Sequence, residues 1–131
     1  MTETQEMLAY LKESRTLGRL PDELLEQLIP LSTSVKFPSG KVILEEGTEN
    51  NHVYILMTGS VSVISNGEFI VKLQRRGDIF GEMSVITGNV STATVIASET
   101  VEALAIKAKD IGQNNLMNAE SLENNFFRIF S

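Results

Sequence analysis

A chain of 131 residues with 42% hydrophobic content is one domain's worth of sequence, able to bury roughly two thirds of its unfolded surface. No apolar run approaches the roughly 20 residues of a membrane span, and the polar, acidic start Met1-Thr2-Glu3-Thr4-Gln5-Glu6 is not a secretory signal; the absence of cysteine excludes disulfides and thiolate metal sites, so the cytoplasm is the expected compartment. The net charge of −6, with Arg75 and Arg76 the only adjacent arginines, excludes the basic stripe that direct nucleic-acid binding needs.

Met7, Leu8 and Leu11 recur at helical spacing, which predicts an amphipathic helix over residues 3–15. Leu17-Gly18-Arg19-Leu20 interrupts it. Pro21-Asp22-Glu23 then opens a second helix, with proline and acids in its first turn. Leu24, Leu25, Leu28 and Ile29 supply its apolar stripe, and Pro30 is expected to end it. From Ser32 the apolar period changes from 3.6 to 2. Ser32–Phe37, Lys41–Leu44, Val53–Met57 and Val61–Ser65 read as strands, separated by Pro38-Ser39-Gly40, by the polar loop Glu45–Asn51 and by Thr58-Gly59. In the third of these, Val53, Ile55 and Met57 share one face, with Tyr54 and Leu56 on the other. Asn66-Gly67 is a hairpin signal, because both residues tolerate positive φ, and Glu68–Leu73 is the returning strand. Ile79-Phe80, Thr92–Ala97 and Val101–Lys107 complete about eight short strands, with turn residues roughly every 8–12 positions.

That pattern predicts an all-β sandwich or barrel. A parallel sheet is excluded, since no crossover of a dozen or so residues fits between the strands. Residues 110–131 return to helical spacing, with Leu116, Met117, Leu122, Phe126, Phe127, Ile129 and Phe130 on the apolar face. No repeat or linker divides residues 1–131, so the reading is one domain: helices over 3–30, strands over 32–107 and a C-terminal helix over 110–131.

Catalytic chemistry has little to draw on. His52 is the only histidine and cannot form a metal site by itself. It reads as a strand-end residue. Glu45-Glu46 and Asp22-Glu23 read as solvated loop and helix-start charges. The stretch Gly77-Asp78-Ile79-Phe80-Gly81-Glu82-Met83-Ser84-Val85 is different. A turn, a short apolar strand and a glycine open a helical turn whose first N–H groups lack partners and carry partial positive charge. Such an arrangement suits an anion. Glu82 would repel a bare phosphate, yet it suits a ligand that carries a hydroxyl beside its phosphate, as ribose does. The plainer alternative is that Glu82 complements the helix dipole at the surface.

Phe80-Gly81-Glu82-Met83-Ser84-Val85, followed by Ser91-Thr92-Ala93-Thr94-Val95 and preceded by Gly77-Asp78, resembles the phosphate-binding cassette of cyclic-nucleotide-binding domains. These are regulatory modules of catabolite-activator-type transcription factors, protein kinase A regulatory subunits and nucleotide-gated channels. The resemblance runs from about Leu17 to Ser131 and includes Pro38-Ser39-Gly40-Lys41-Val42-Ile43, Glu46-Gly47 and Val53-Tyr54-Ile55-Leu56. It implies a mainly β fold with flanking helices: an eight-stranded, jelly-roll-like β-roll with two N-terminal helices and a C-terminal hinge helix. It also implies a regulatory protein and not an enzyme, with no required cofactor. Carried over residue by residue, Gly81 and the amides of Glu82, Met83 and Ser84 would contact the cyclic phosphate, and Glu82 the ribose hydroxyl. Val63 and Val71 would help line the ribose and base pocket, and Thr92 would lie beside the phosphate.

Ser91 departs from the family, whose nucleotide-binding members carry arginine there. Loss of one partner of a buried charge pair costs roughly 2–5 kcal/mol, about 30-fold to several thousand-fold in affinity. A serine hydroxyl returns about 1 kcal/mol. Arg75, Arg76 and Lys72 are not placed to substitute. The residues therefore imply a ligand-sensing module that binds cyclic AMP or cyclic GMP weakly or not at all, or that takes another small anion, and that couples occupancy to the C-terminal helix. A second copy or an effector domain would meet that helix through Phe126, Phe127 and Phe130. Two other readings stand beside it: a degenerate scaffold for dimerisation or docking, and, more remotely, a cupin-type enzyme. The family's hinge helix continues where Phe126–Ser131 ends this chain, so a fragment of a longer regulator and a stand-alone sensor are both compatible.

Overall fold

The computed structural model describes residues 3–12, 18, 21–82, 84 and 90–113. Helices α1 (Glu3–Lys12) and α2 (Asp22–Leu31) precede strands β1 (Ser32–Phe37), β2 (Val42–Leu44), β3 (His52–Thr58), β4 (Val61–Ser65), β5 (Glu68–Leu73), β6 (Ile79–Phe80), β7 (Thr94–Ala97) and β8 (Val101–Lys107), and helix α3 (Ala108–Gln113) follows. The strands form two four-stranded sheets, ordered β1-β8-β3-β6 and β2-β7-β4-β5. Every pairing is antiparallel. This is the expected β-roll with flanking helices.

Local chemistry accounts for the turns. Asn66 (φ 53°) and Gly67 (φ 77°) both take the left-handed conformation, which joins β4 to β5 in a two-residue hairpin whose twist matches the strands. Gly59, at φ +89°, lets β3 pass into β4 where a Cβ would lie 2.3 Å from the Thr100 carbonyl oxygen.

Several boundaries differ from the sequence reading. β2 begins at Val42 rather than Lys41, and β3 extends one residue further at each end, to His52 and Thr58. Helix α2 runs one residue past Pro30, to Leu31. Ser32 closes it, its backbone N–H and its hydroxyl both donating to the Ile29 carbonyl. β7 begins at Thr94 rather than Thr92, because the Ser91 hydroxyl donates to the Ala93 carbonyl at 2.7 Å and holds that segment in a turn. α3 starts at Ala108, two residues before Asp110, with the Ala108 N–H donating to the Asn51 carbonyl at 2.8 Å. The remainder of the predicted C-terminal helix, including Phe126, Phe127 and Phe130, lies outside the described residues, as do Met83 and residues 85–89.

Two apolar clusters hold the domain together. The first joins Leu11 of α1 and Leu25 and Leu28 of α2 to Val53 and Ile55 of β3, Ile79 of β6, and Leu104 and Ile106 of β8. The second fills the space between the sheets with Leu44, Leu56, Val61, Phe80, Val95, Ala97, Val101 and Ala103. The alternation in Val53–Met57 is thereby explained: one face of β3 meets the helices and the other meets the opposite sheet. β3 and β8 are buried on both faces, as interior strands must be once helices cover one side. An exposed Lys12–Asp22 ion pair also links α1 to α2.

Candidate functional site

The β6 strand, the turn after it and the start of β7 enclose a cavity of about 290 Å³. Its polar end is formed by Gly81, Glu82, Ser84, Ser91 and Thr92, and its apolar walls by Leu44, Val63, Leu73, Ile79, Phe80, Ala93 and Val95. Of the residues singled out in the sequence, six therefore surround one space: Gly81, Glu82, Ser84, Ser91, Thr92 and Val63. Val71 pairs directly with Val63 across the β4–β5 ladder, yet it is 43% exposed on the edge strand and is not part of the lining. Met83 lies outside the described residues.

Gly81 sets the geometry. It sits at φ +84°, and a Cβ there would meet the His52 carbonyl oxygen at 2.8 Å and Asn50 Nδ2 at 2.9 Å. Asn50 explains the tight fit. Its Nδ2 donates to the carbonyls of His52 (2.8 Å) and Gly81 (3.0 Å) and to Ser84 Oγ (3.0 Å), while its Oδ1 accepts the His52 N–H at 3.2 Å. The Ser84 hydroxyl in turn donates to the Gly81 carbonyl at 3.1 Å. One amide side chain thus fastens the glycine turn to the start of β3. In the sequence Asn50 was only part of a polar loop, and nothing local marked it.

Glu46 was also underestimated. Instead of a solvated loop charge it is half-buried, and its carboxylate accepts the Asn66 N–H at 3.1 Å and the Ser65 hydroxyl at 3.4 Å. Its own N–H donates to Thr94 Oγ1 at 3.1 Å. The β4–β5 hairpin and β7 are thereby tied to the loop after β2. The signal available in advance was the Glu46-Gly47 pair; in the structure the Gly47 N–H donates to the Ser91 carbonyl at 2.8 Å.

Ser91 is buried and doubly anchored: its N–H donates to the Thr48 carbonyl at 2.8 Å and its hydroxyl to Ala93. Glu82 faces the same cavity. Burial raises its carboxyl above the ordinary value of 4.5, and a hydrogen bond from its own backbone N–H partly offsets that rise. Among the described residues, no cation lines the cavity. Lys72, Arg75 and Arg76 are exposed residues at and beyond the end of β5, away from the lining. His52 begins β3 and stacks on Tyr54 at a ring separation of 5.9 Å. Among the described residues, no three of His, Cys, Asp and Glu are grouped to hold a metal, as a cupin-type site would need.

The raised pKa of Glu82 has a consequence for stability. The folded state holds this proton more tightly than the unfolded state, so stability falls as pH rises from the ordinary carboxylate range through the raised folded value, and the full penalty applies above it. Glu82→Gln is therefore expected to raise the thermal midpoint at pH 7 and to leave it unchanged at pH 3. Melting curves for both proteins across that range check this, and equal midpoints at pH 7 would show that the carboxylate is not desolvated.

Residues 34–114, more than half of the chain, match the family model of the cyclic nucleotide-binding domain. The chain belongs to that family. Cyclic nucleotide-binding domains of this kind are regulatory and non-catalytic, like those of the cyclic-nucleotide-dependent protein kinases the chain resembles. The cAMP-dependent protein kinase regulatory subunit of Aspergillus niger is 30% identical over 95 residues, covering 72% of this chain and 23% of the relative. The domain thus spans less than a quarter of that relative's length. Solved structures share the fold. The regulatory subunit of a cAMP-independent protein kinase A from Trypanosoma brucei superposes with a TM-score of 0.80 at 21% identity, over 95% of this chain and 44% of the other. A variant of it carrying three substitutions, one of them threonine to arginine, is bound to cAMP in its A site. The catabolite activator protein of Thermus thermophilus gives 0.73 at 22% identity, over 89% and 56%. No helix among the described residues is long and apolar enough to cross a membrane.

Proposed function

We propose that this cyclic nucleotide-binding domain is a ligand-sensing module in which a small molecule, held between Glu82 and Ser91, acts on the helix that starts at Ala108. One connection carries this reading. Asn50 holds Gly81 and Ser84 at the cavity, and the next residue, Asn51, accepts the first N–H of α3. A shift of the Gly81 turn therefore pulls on a two-residue segment that also anchors the helix start. Coupling requires such a shared element, which the ligand biases. Beyond Gln113 the helix would carry the signal to a second copy or an effector through Phe126, Phe127 and Phe130.

Ser91 makes ordinary cyclic AMP and cyclic GMP weak ligands on this reading. A phosphate monoanion buried beside Glu82 without a cation lacks the charge pairing that stabilises it. The cAMP-independent neighbour, which has cAMP in its site in a variant that gains an arginine, is in keeping with that view. Isothermal titration with cyclic AMP, cyclic GMP and cyclic dinucleotides checks it, with millimolar dissociation constants expected for the first two. Micromolar binding of either would remove Ser91 as the limiting residue. A protein that takes no small molecule at all would instead be a degenerate scaffold.

The coupling has its own test. Amide hydrogen exchange in Ala108–Gln113 is expected to change at saturating ligand in the native protein. In Asn50→Ala, likewise saturated with ligand, the change should fall at least several-fold. Equal responses in the two proteins would place the coupling elsewhere.

A further inference from the structure

Strand β5 is built unlike the other strands. Its burial does not alternate: Glu68, Phe69, Ile70, Val71 and Lys72 are all exposed, and only Leu73 is partly buried. Three of the five large apolar side chains exposed among the described residues stand here in a row, Phe69 at 63%, Ile70 at 56% and then Val71. Single exposed apolar residues are ordinary on a surface, whereas a consecutive run calls for a function. β5 is also the outer strand of its sheet, paired with β4 alone among the described residues. Apolar outer strands attract other chains. The β4–β5 register passes from Val63↔Val71 to Ile64↔Phe69 and leaves Ile70 as a bulge, which interrupts the outer row of hydrogen-bonding groups. The edge therefore presents side chains rather than a template for a long ladder.

The charges select the occupant. Glu68 and Lys72 stand two residues to either side of Ile70, and neither forms an ion pair among the described residues. A two-fold axis at Ile70 brings Glu68 of one copy to Lys72 of the other at both ends of the contact. A parallel meeting would instead set Glu68 beside Glu68 and Lys72 beside Lys72, and like charges oppose it. An isologous contact requires a surface complementary to itself, and this edge is one. We propose that β5 is a self-association surface, along which two copies of this chain meet antiparallel about Ile70, with their Phe69-Ile70-Val71 rows in contact and Glu68 of each copy paired with Lys72 of the other. One strand per copy is a small interface, so the association is weak and concentration-dependent. It is separate from a contact through Phe126, Phe127 and Phe130, and it does not depend on what the cavity holds.

Sedimentation velocity of the full chain, from low micromolar to near-millimolar concentration, is expected to show a monomer–dimer equilibrium. Glu68→Lys leaves a lysine at both ends of the contact and Lys72→Glu a carboxylate at both ends, so each variant alone should lose about ten-fold in self-association. Mixed together, these two variants should associate with each other as well as the native chain does with itself. The double exchange Glu68→Lys/Lys72→Glu should recover the native affinity. Ile70→Asp places two carboxylates at the axis and should abolish the dimer. All the altered side chains are exposed, and circular dichroism checks that the fold is kept. A native protein that stays monomeric throughout would overturn the inference. So would a dimer that the single exchanges leave unchanged, which would place the contact elsewhere, or mixed variants that fail to associate.

Discussion

Gly81→Ala is expected to lose about 3 kcal/mol of folding stability, with the ligand site lost alongside it. Two effects combine. Left-handed backbone at φ +84° strains any residue bearing a Cβ, a term of about 1–3 kcal/mol. The new methyl would also press on the His52 carbonyl at 2.8 Å and on Asn50 Nδ2 at 2.9 Å. The first is backbone of a doubly covered strand and cannot retreat. The second is the hub of the hydrogen bonds that hold the turn, each worth about 1 kcal/mol. Gly40→Ala is the matched control, with φ +87° but nothing within 4 Å of the added carbon. It should lose only the strain, about 1 kcal/mol. Urea unfolding followed by circular dichroism compares the two. If Gly81→Ala costs no more than Gly40→Ala, the close approach to β3 is not what makes this glycine obligatory.

Ser91→Arg is expected to have the largest effect on binding. Supplying a cation beside the position of a ligand phosphate restores a buried charge pair worth roughly 2–5 kcal/mol, or about 30-fold to several thousand-fold in affinity for cyclic AMP or cyclic GMP. The change is sterically reasonable because Ser91, though buried, already lines a cavity of about 290 Å³. Removing its hydroxyl releases the Ala93 carbonyl, so a modest loss of stability should accompany the gain. Titration of both proteins with the same two nucleotides measures the difference. An unchanged affinity in a folded variant would mean that the backbone around Gly81, and not the missing cation, limits phosphate binding.

Much of this molecule could be read along the chain. The change of period at Ser32, the Asn66-Gly67 hairpin and the alternation in Val53–Met57 each follow from backbone geometry acting over a few residues. The structure contains those strands and that hairpin, and the family match agrees with the motif around Gly81-Glu82. Residues predicted to share the site, with Val71 and the undescribed Met83 apart, were gathered around one cavity because β4 pairs with β7 in one sheet and β6 of the other sheet packs against them.

What the chain order could not show is anything that depends on partners far away in sequence. Asn50 fastens Gly81 and Ser84 across separations of 31 and 34 residues, and Glu46 reaches Thr94 across 48. Each looked like an ordinary polar loop residue because loop composition carries no record of which carbonyl a side chain will meet. Likewise, Ser91 in the sequence is a missing arginine. Only the folded structure shows that its hydroxyl is committed to Ala93 and that Glu82 is left desolvated, with no cation among the described residues that line the cavity it faces. Turn and strand propensities are local and legible in one dimension; the polarity of a cavity is decided by which groups the packed sheets leave without partners.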